Sequence, residues 1–245
     1  MEEVNSSDEI QHEIIKETFK VFGIKDNAEL TSHAEIPSGT GLGSSGTFGV
    51  GIIQAIAPYL PKRDLAQIAT DVQLRLGFPI GLQDQYVAAY GGTNIYEVNK
   101  KGEVNVSEID IKGLEDNLCL FFTGFKHDSN EVLRKSTTKG LKTIQNLAYE
   151  SLVAFENKEY GKYGEILNEH WKFKKQRGGM TNEKIDVWYN LGIENGAVGG
   201  KLIGAGGGGF LMFYTEDRDG LIKAMPLQHI PFKFEYGGSK ILVND

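Results

Sequence analysis

An α+β fold is the class predicted by this 245-residue sequence, and three observations carry that reading. A glycine-rich stretch, Pro37 to Gly46, separates an alternating apolar segment from a small-residue apolar run of helical character. In the second half, segments of helical periodicity alternate with short apolar strand-like segments, which suits an α+β layer. A second glycine run, Gly204 to Gly209, leads at once into the strand-like Phe210 to Tyr214. At this length, with 40% hydrophobic residues, the chain can build one large or two small domains with a true core.

The elements follow in chain order. Residues 8–22 place Ile10, Ile14, Ile15, Phe19 and Phe22 at helical spacing behind the capping candidates Ser6, Ser7 and Asp8. Leu30, Ser32, Ala34 and Ile36 alternate as in a strand. The loop comes next, then a buried helix from Thr47 that Pro58 and Pro61 close. From about Lys62 to Leu76, Leu65, Ile68, Ala69, Val72 and Leu76 share one helical face. Gly77 to Gly81 form a glycine-proline loop that leads into a short helix of small residues, with Asp84 at the turn. Strands are expected at 93–98 and 104–109 around a turn at 99–102, and again at 117–123, ending on Gly124. Helical pattern dominates 129–195, with interruptions expected near Gly161, Gly164 and Arg177-Gly178-Gly179. A short amphipathic stretch at 219–225 and two strand-like segments, 232–236 and 240–243, complete the chain.

Composition excludes several classes. Thirty-three acidic against twenty-six basic residues, a net charge of −7, argue against a nucleic-acid surface or a polybasic membrane patch. The single Cys119 sits in the apolar run Leu118 to Phe122 and reads as a buried thiol; one cysteine permits neither an internal disulfide nor a cysteine metal site. No stretch resembles a signal peptide or membrane span, so a cytoplasmic location is expected. His127, His170 and His229 lack ligand spacing. Lys172, Lys174, Lys175 and Arg177 form a basic cluster that reads first as a solvated helix face and second as a contact for a phosphorylated substrate.

The chemistry concentrates at the first glycine stretch. Glycine permits positive φ and close backbone approach, and the amides at a helix start, backed by the helix dipole, bind phosphate. Ser44 and Ser45 add hydroxyl donors or a metal ligand. Gly41 to Gly46 also fits the dinucleotide pattern G-x-G-x-x-G, with Asp64 at the distance of a ribose-binding acid. Asp64, however, follows Pro61-Lys62-Arg63 and reads as the opening turn of a helix, and Gly204 to Gly209 fits the same pattern. A P-loop is ruled out because no lysine precedes the serines. If the helix after Asp84 packs beside the glycine loop, the carboxylate faces bound phosphate and can accept a proton from a substrate hydroxyl; otherwise Asp84 is an N-cap.

Three stretches in this order resemble the GHMP small-molecule kinases. Pro37-Ser38-Gly39-Thr40-Gly41-Leu42-Gly43-Ser44-Ser45 is similar to their signature loop, Lys201 to Phe210 to their C-terminal glycine motif, and Pro79 to Gly92 to the sugar-kinase branch, most of all the heptose 7-phosphate kinases. His170-Trp171-Lys172 and Asn195 to Lys201 are similar to the same branch. The resemblance implies a ribosomal-S5-like N-terminal domain, here partial, over 1–110 and a ferredoxin-like C-terminal domain over 111–245. It implies ATP and Mg²⁺ as cofactors, with Pro37, Ser38, Gly39, Thr40, Gly41, Leu42, Gly43, Ser44 and Ser45 around the nucleotide phosphates and Gly206, Gly207 and Gly208 closing the site. It makes Asp84 the catalytic base or orienter and Ser45 a ligand of Mg²⁺ or a phosphate oxygen. The implied reaction is phosphorylation of a sugar or sugar phosphate, such as a heptose 7-phosphate, at the C1 hydroxyl.

Three departures stand out. The arginine- and glycine-rich first motif of relatives is not recognisable, so the chain is expected to lack that front end. Relatives also carry a metal-binding glutamate on the helix before the aspartate loop, where the nearest acid here is Asp71, about one position away; one position turns a helical side chain by about 100°. His127 stands where relatives often have arginine. The alternatives are a non-catalytic relative that only binds nucleotide and a dinucleotide-binding oxidoreductase. The expected partner is a small-molecule sugar, with no nucleic acid and no membrane; a homodimer is left open by the sequence.

Overall fold

The structure, a computed structural model, describes residues 2–126, 134 and 140–243. The chain divides into two compact units: residues 1–37, 43–106 and 235–245 form the first, and residues 38–42 and 107–234 the second. These are continuous halves except at two places, where 38–42 belongs with the second unit and 235–245 returns to the first.

The first unit is built from four helices, α1 (Glu13–Phe22), α2 (Ser44–Ile56), α3 (Lys62–Arg75) and α4 (Gln83–Tyr90), followed by the strands β1 (Asn94–Val98) and β2 (Val104–Glu108), which pair as a two-stranded sheet. The apolar stripe of α3 (Leu65, Ala66, Ala69) meets Val50 and Ile53 of α2, Tyr86 and Ala89 of α4 and Val104 of β2 in one core. Tyr86 lies at its centre, its ring 6.0 Å from that of Tyr96 in an edge contact and 6.2 Å from Tyr90 in a stack.

α1 is shorter than its sequence pattern suggests. A separate 3-10 turn, Ser7–Glu9, precedes it, with the Ser6 hydroxyl accepting from the Asp8 amide. The alternating segment Leu30 to Ile36 is not a strand: it runs exposed with no ladder. Alternation sets which side chains share a face, but a strand exists only where a neighbour takes its backbone hydrogen bonds.

The end of the chain closes this unit. The Gly92 amide donates to the Glu235 carbonyl (2.6 Å) and the Ser239 amide to the Ala88 carbonyl (2.9 Å). Lys62 Nζ donates to the carbonyls of Tyr90 (2.8 Å) and Gly237 (3.0 Å), and the Glu235 carboxylate accepts from the Gly237 and Gly238 amides. Those two bonds hold the Glu235 carboxyl below its usual range. The segment thus ties down the C-terminal end of α4, whose first turn carries Asp84. Residues 240–243, expected as a strand, form none.

The second unit carries an antiparallel four-stranded sheet of order β4-β5-β3-β6, with β3 (Leu118–Phe122), β4 (Ala197–Leu202), β5 (Phe210–Thr215) and β6 (Gln228–His229). The register pairs Leu118 with Tyr214 and Phe122 with Phe210. Its helices among the described residues include α5 (Leu141–Glu156), α6 (Tyr160–Lys175), α7 (Glu183–Glu194) and α8 (Arg218–Ala224). Phe121, Leu211 and Phe213 from the sheet pack with Trp171 of α6 and Ile185 and Tyr189 of α7. Cys119 is in this core, as its apolar setting suggested, and burial pushes its thiol up to about 11.

The helical stretch breaks at 157–159 and 176–182, not at Gly161 or Gly164, which lie inside α6. The reason is contact. A β-carbon built on Gly164 would lie 2.8 Å from the Tyr214 ring and 3.0 Å from Val198, and one built on Gly199 would collide with the Gly164 carbonyl oxygen. Glycine on both sides lets α6 lie directly on β4. Residues 232–236 form no strand either: Phe232 and Phe234 pack against Leu118, Leu167 and Tyr214, and the Phe234 amide donates to the Glu115 carboxylate (2.7 Å). His127 and the start of the expected helix at 129 lie outside the described residues. Among the described residues, no helix is long and apolar enough to cross a membrane.

Candidate active site

The loop from Pro37 to Ser45 turns through left-handed glycines at 39, 41 and 43 (φ 75°, 81° and 70°). Gly43 is the N-cap of α2 and, having no side chain, offers no cap to the helix amides that follow. The first amides of α2 therefore point out of the helix with the positive dipole end behind them, the arrangement that receives an anion.

Asp84 stands at this helix start. It occupies the first turn of α4 and is not its N-cap, which is Leu82. A β-carbon built on Gly43 would lie 3.2 Å from the Asp84 carboxyl carbon, and one built on Gly46 would lie 2.8 Å from the Asp84 β-carbon. Only hydrogen at these positions lets the aspartate approach. Its carboxylate accepts no hydrogen bond from any described residue. One side of the residue faces solvent and the other is crowded by α2, and the loss of hydration there raises its carboxyl above the usual range. A carboxylate with free lone pairs and raised basicity beside an anion-binding helix start is suited to take a proton from a hydroxyl.

The same geometry sets a mutational expectation. Gly46→Ala would push Asp84 aside without touching its chemistry, and displacement on the ångström scale costs about 10²-fold in rate. If Asp84 takes the proton of a substrate hydroxyl, as proposed below, steady-state kinetics on the folded variant should show turnover about 10- to 100-fold down.

Behind α2, Gln73 of α3 is fully buried and its amide donates to the Ser45 carbonyl (3.1 Å). Gln73 was not among the residues expected here, although a glutamine on the face of Ala69 and Val72 is a visible signal in the sequence. Asp71 lies two positions earlier, about 200° around the helix, and accepts instead from Gln67 of its own helix (2.9 Å). The structure therefore brings Gln73, not Asp71, to Ser45. Among the described residues no three His, Cys, Asp or Glu side chains cluster as a metal site would need.

Within the second unit, the first half of the loop (38–42) rests on the C-terminal glycine run. A β-carbon on Gly41 would lie 2.9 Å from the Ile203 carbonyl oxygen, one on Gly204 would lie 2.5 Å from the Gly41 α-carbon, and one on Gly209 would strike the Thr40 carbonyl. The glycines that meet the loop are thus Gly204 and Gly209. Gly206, Gly207 and Gly208 are backed elsewhere: Gly206 by Met180, Gly208 by Phe125, while the Gly207 amide donates to the Met180 carbonyl (2.9 Å). Thr123 Oγ1 donates to the Gly209 carbonyl (2.7 Å) and fixes the exit into β5.

The basic cluster divides. Lys172 is exposed and pairs with Glu169 (2.6 Å), and Lys175 pairs with Asp186 (3.4 Å). Lys174 is buried, against the expectation of a solvated face, because the last turn of α6 packs on β4. The dinucleotide reading fails as well. The glycine loop follows no strand, the four-stranded sheet is antiparallel rather than doubly wound, and Asp64 sits in the first turn of α3.

Residues 10–92 match the GHMP kinases N terminal domain and residues 151–227 the GHMP kinases C terminal domain. D-glycero-alpha-D-manno-heptose 7-phosphate kinase from Campylobacter jejuni is 31% identical over 217 residues, 80% of this chain; the chain spans 64% of that protein's length. A solved Campylobacter jejuni structure superposes at TM-score 0.70 with 30% identity, covering 92% of this chain and 72% of the other. A solved D-glycero-D-manno-heptose 1-phosphate kinase from Bacteroides thetaiotaomicron gives 0.70 at 25%, covering 94% and 74%. The match to Lactococcus lactis galactokinase, TM-score 0.69 at 16% identity over 98% and 78% of the two chains, extends the likeness of fold alone. With both domain families matched in order and the fold shared, this α+β chain belongs to the GHMP kinases.

Proposed function

We propose that the chain is an ATP-dependent sugar kinase that phosphorylates a heptose 7-phosphate or a related sugar at its C1 hydroxyl. The observation that carries this reading is the Asp84 carboxylate, set against Gly43 and Gly46 at the uncapped start of α2. The names of the two heptose-phosphate kinases to which the chain is similar supply the substrate class.

ATP supplies the phosphoryl group. The residues that would hold its phosphates are Pro37 to Ser45, through the glycine backbone, the first α2 amides and the hydroxyls of Ser44 and Ser45; Gly204 and Gly209 support that loop, while Gly206 to Gly208 lie against Met180 and Phe125. Mg²⁺ would be held at this site by the Ser45 hydroxyl and would offset the phosphate charge; Asp71 accepts from Gln67 of its own helix and is not brought to Ser45. Asp84 accepts the proton of the sugar hydroxyl as that oxygen bonds to the γ-phosphorus and the bond from that phosphorus to the ADP oxygen breaks, with ADP leaving. Positioning and charge stabilisation supply the rest of the rate, since phosphoryl transfer asks little covalent chemistry of a protein.

The test is ADP release by the chain with Mg·ATP over a panel of sugars that includes D-glycero-D-manno-heptose 7-phosphate. Turnover that requires one sugar supports the kinase. Nucleotide binding with no turnover on any sugar would replace it with a nucleotide-binding relative.

A further inference from the structure

Lys174, in the last turn of α6, is only 6% exposed. Its Nζ donates to the carbonyls of Leu202 (2.9 Å) and Gly204 (2.5 Å), where the chain leaves β4. Gly204 is also the residue whose backbone lies on Gly41. A single ammonium thus secures the turn on which residues 38–42 rest.

The surroundings show that this is not ion pairing. No carboxylate among the described residues contacts Lys174. The neighbouring charges are the like-signed Lys201 of β4 and Arg177 just past α6, and burial together with these lowers Lys174 to about 7. Lys201 Nζ lies 3.1 Å from His170 Nδ1, and burial and Lys201 lower that imidazole to about 3, so the ring is a neutral acceptor. Burying a cation without a counter-charge is costly. Here the cost is offset by two carbonyls at the end of a strand, to which the Nζ donates.

We propose that Lys174 is a positioning residue for the phosphate loop: it holds the Leu202–Gly204 turn that seats residues 38–42, and so sets nucleotide affinity without touching the nucleotide. The link to nucleotide rests on the function proposed above; the link to the turn does not.

Lys174→Met in the full chain separates the two. Hydrogen exchange in the absence of nucleotide should quicken about tenfold or more at the Ile203, Gly207 and Gly209 amides, which are bonded to Phe210, Met180 and Phe125, while the β5 amides keep their protection. The ATP dissociation constant should rise by about tenfold, with the loss in KM for ATP rather than in kcat at saturation. If the methionine variant also loses β5 protection, the comparison is read on Lys174→Gln, which retains a donor. Unchanged exchange at 203–209 with β5 intact overturns the positioning role, and so does faster exchange with ATP affinity unchanged. Failure of the unaltered chain to bind ATP would instead refute the kinase reading, and the exchange result would still decide whether Lys174 holds the turn.

Discussion

Asp84→Asn is expected to lower phosphoryl transfer by about 10²- to 10⁴-fold, the range associated with a positioned general base, while ATP binding stays within a few-fold of the original. The asparagine amide keeps the size that Gly43 and Gly46 accommodate but cannot take a proton. Stability should move the other way. Crowding by α2 raises the folded-state pKa of Asp84 above its unfolded value, so the ionised carboxylate costs stability at neutral pH and that cost disappears as pH falls through the raised pKa. The variant should therefore melt at the same temperature or higher at pH 7, with any gain vanishing in acid. In the original chain, transfer should decline on the acid side at a higher pH than a fully solvated aspartate would give. Kinetics across pH, with thermal melts of both proteins, check all three. A variant that keeps most of its turnover would remove Asp84 from the mechanism.

Gly199→Val should be the most damaging change to the fold. A β-carbon at 199 would collide with the Gly164 carbonyl oxygen and also lie 2.9 Å from the Asn168 β-carbon; neither a helix backbone nor a strand backbone can step aside alone. Overpacking with no flexible neighbour to yield costs about 3 kcal/mol or more, and at about 2–4 °C per kcal/mol the midpoint should fall by roughly 6–12 °C. Gly161, on the same helix with nothing within 4 Å of its built β-carbon, is the control: Gly161→Ala should leave the midpoint level or slightly higher, since alanine is the better helix former. Equal melting of the two variants would show that the α6–β4 contact does not limit stability.

The candidate site was legible in the sequence where local chemistry writes it. Three left-handed glycines and two serines before an apolar helix specify a turn at a helix start, and Asp84 could be named because the helix after Gly77–Gly81 is short and made of small residues. That Asp84 lies against Gly46, and that Gly204 and Gly209 rather than Gly206 to Gly208 meet the loop, depends on which backbones touch. A run of glycines announces close approach but not its partner.

The sequence by itself determined the helices whose apolar stripes repeat at 3.6 residues, the buried Cys119 and the strands β1, β2, β3 and β5, because those follow from propensity and periodicity within a segment. Only the tertiary structure decided that Leu30 to Ile36 is not a strand, that Gly164 sits inside a helix, that residues 235–243 brace α4, and that of four clustered basic residues Lys174 is buried. Pairing partners, backbone contacts and the burial of a single charge are set by what a segment packs against, and no property of the segment alone contains that.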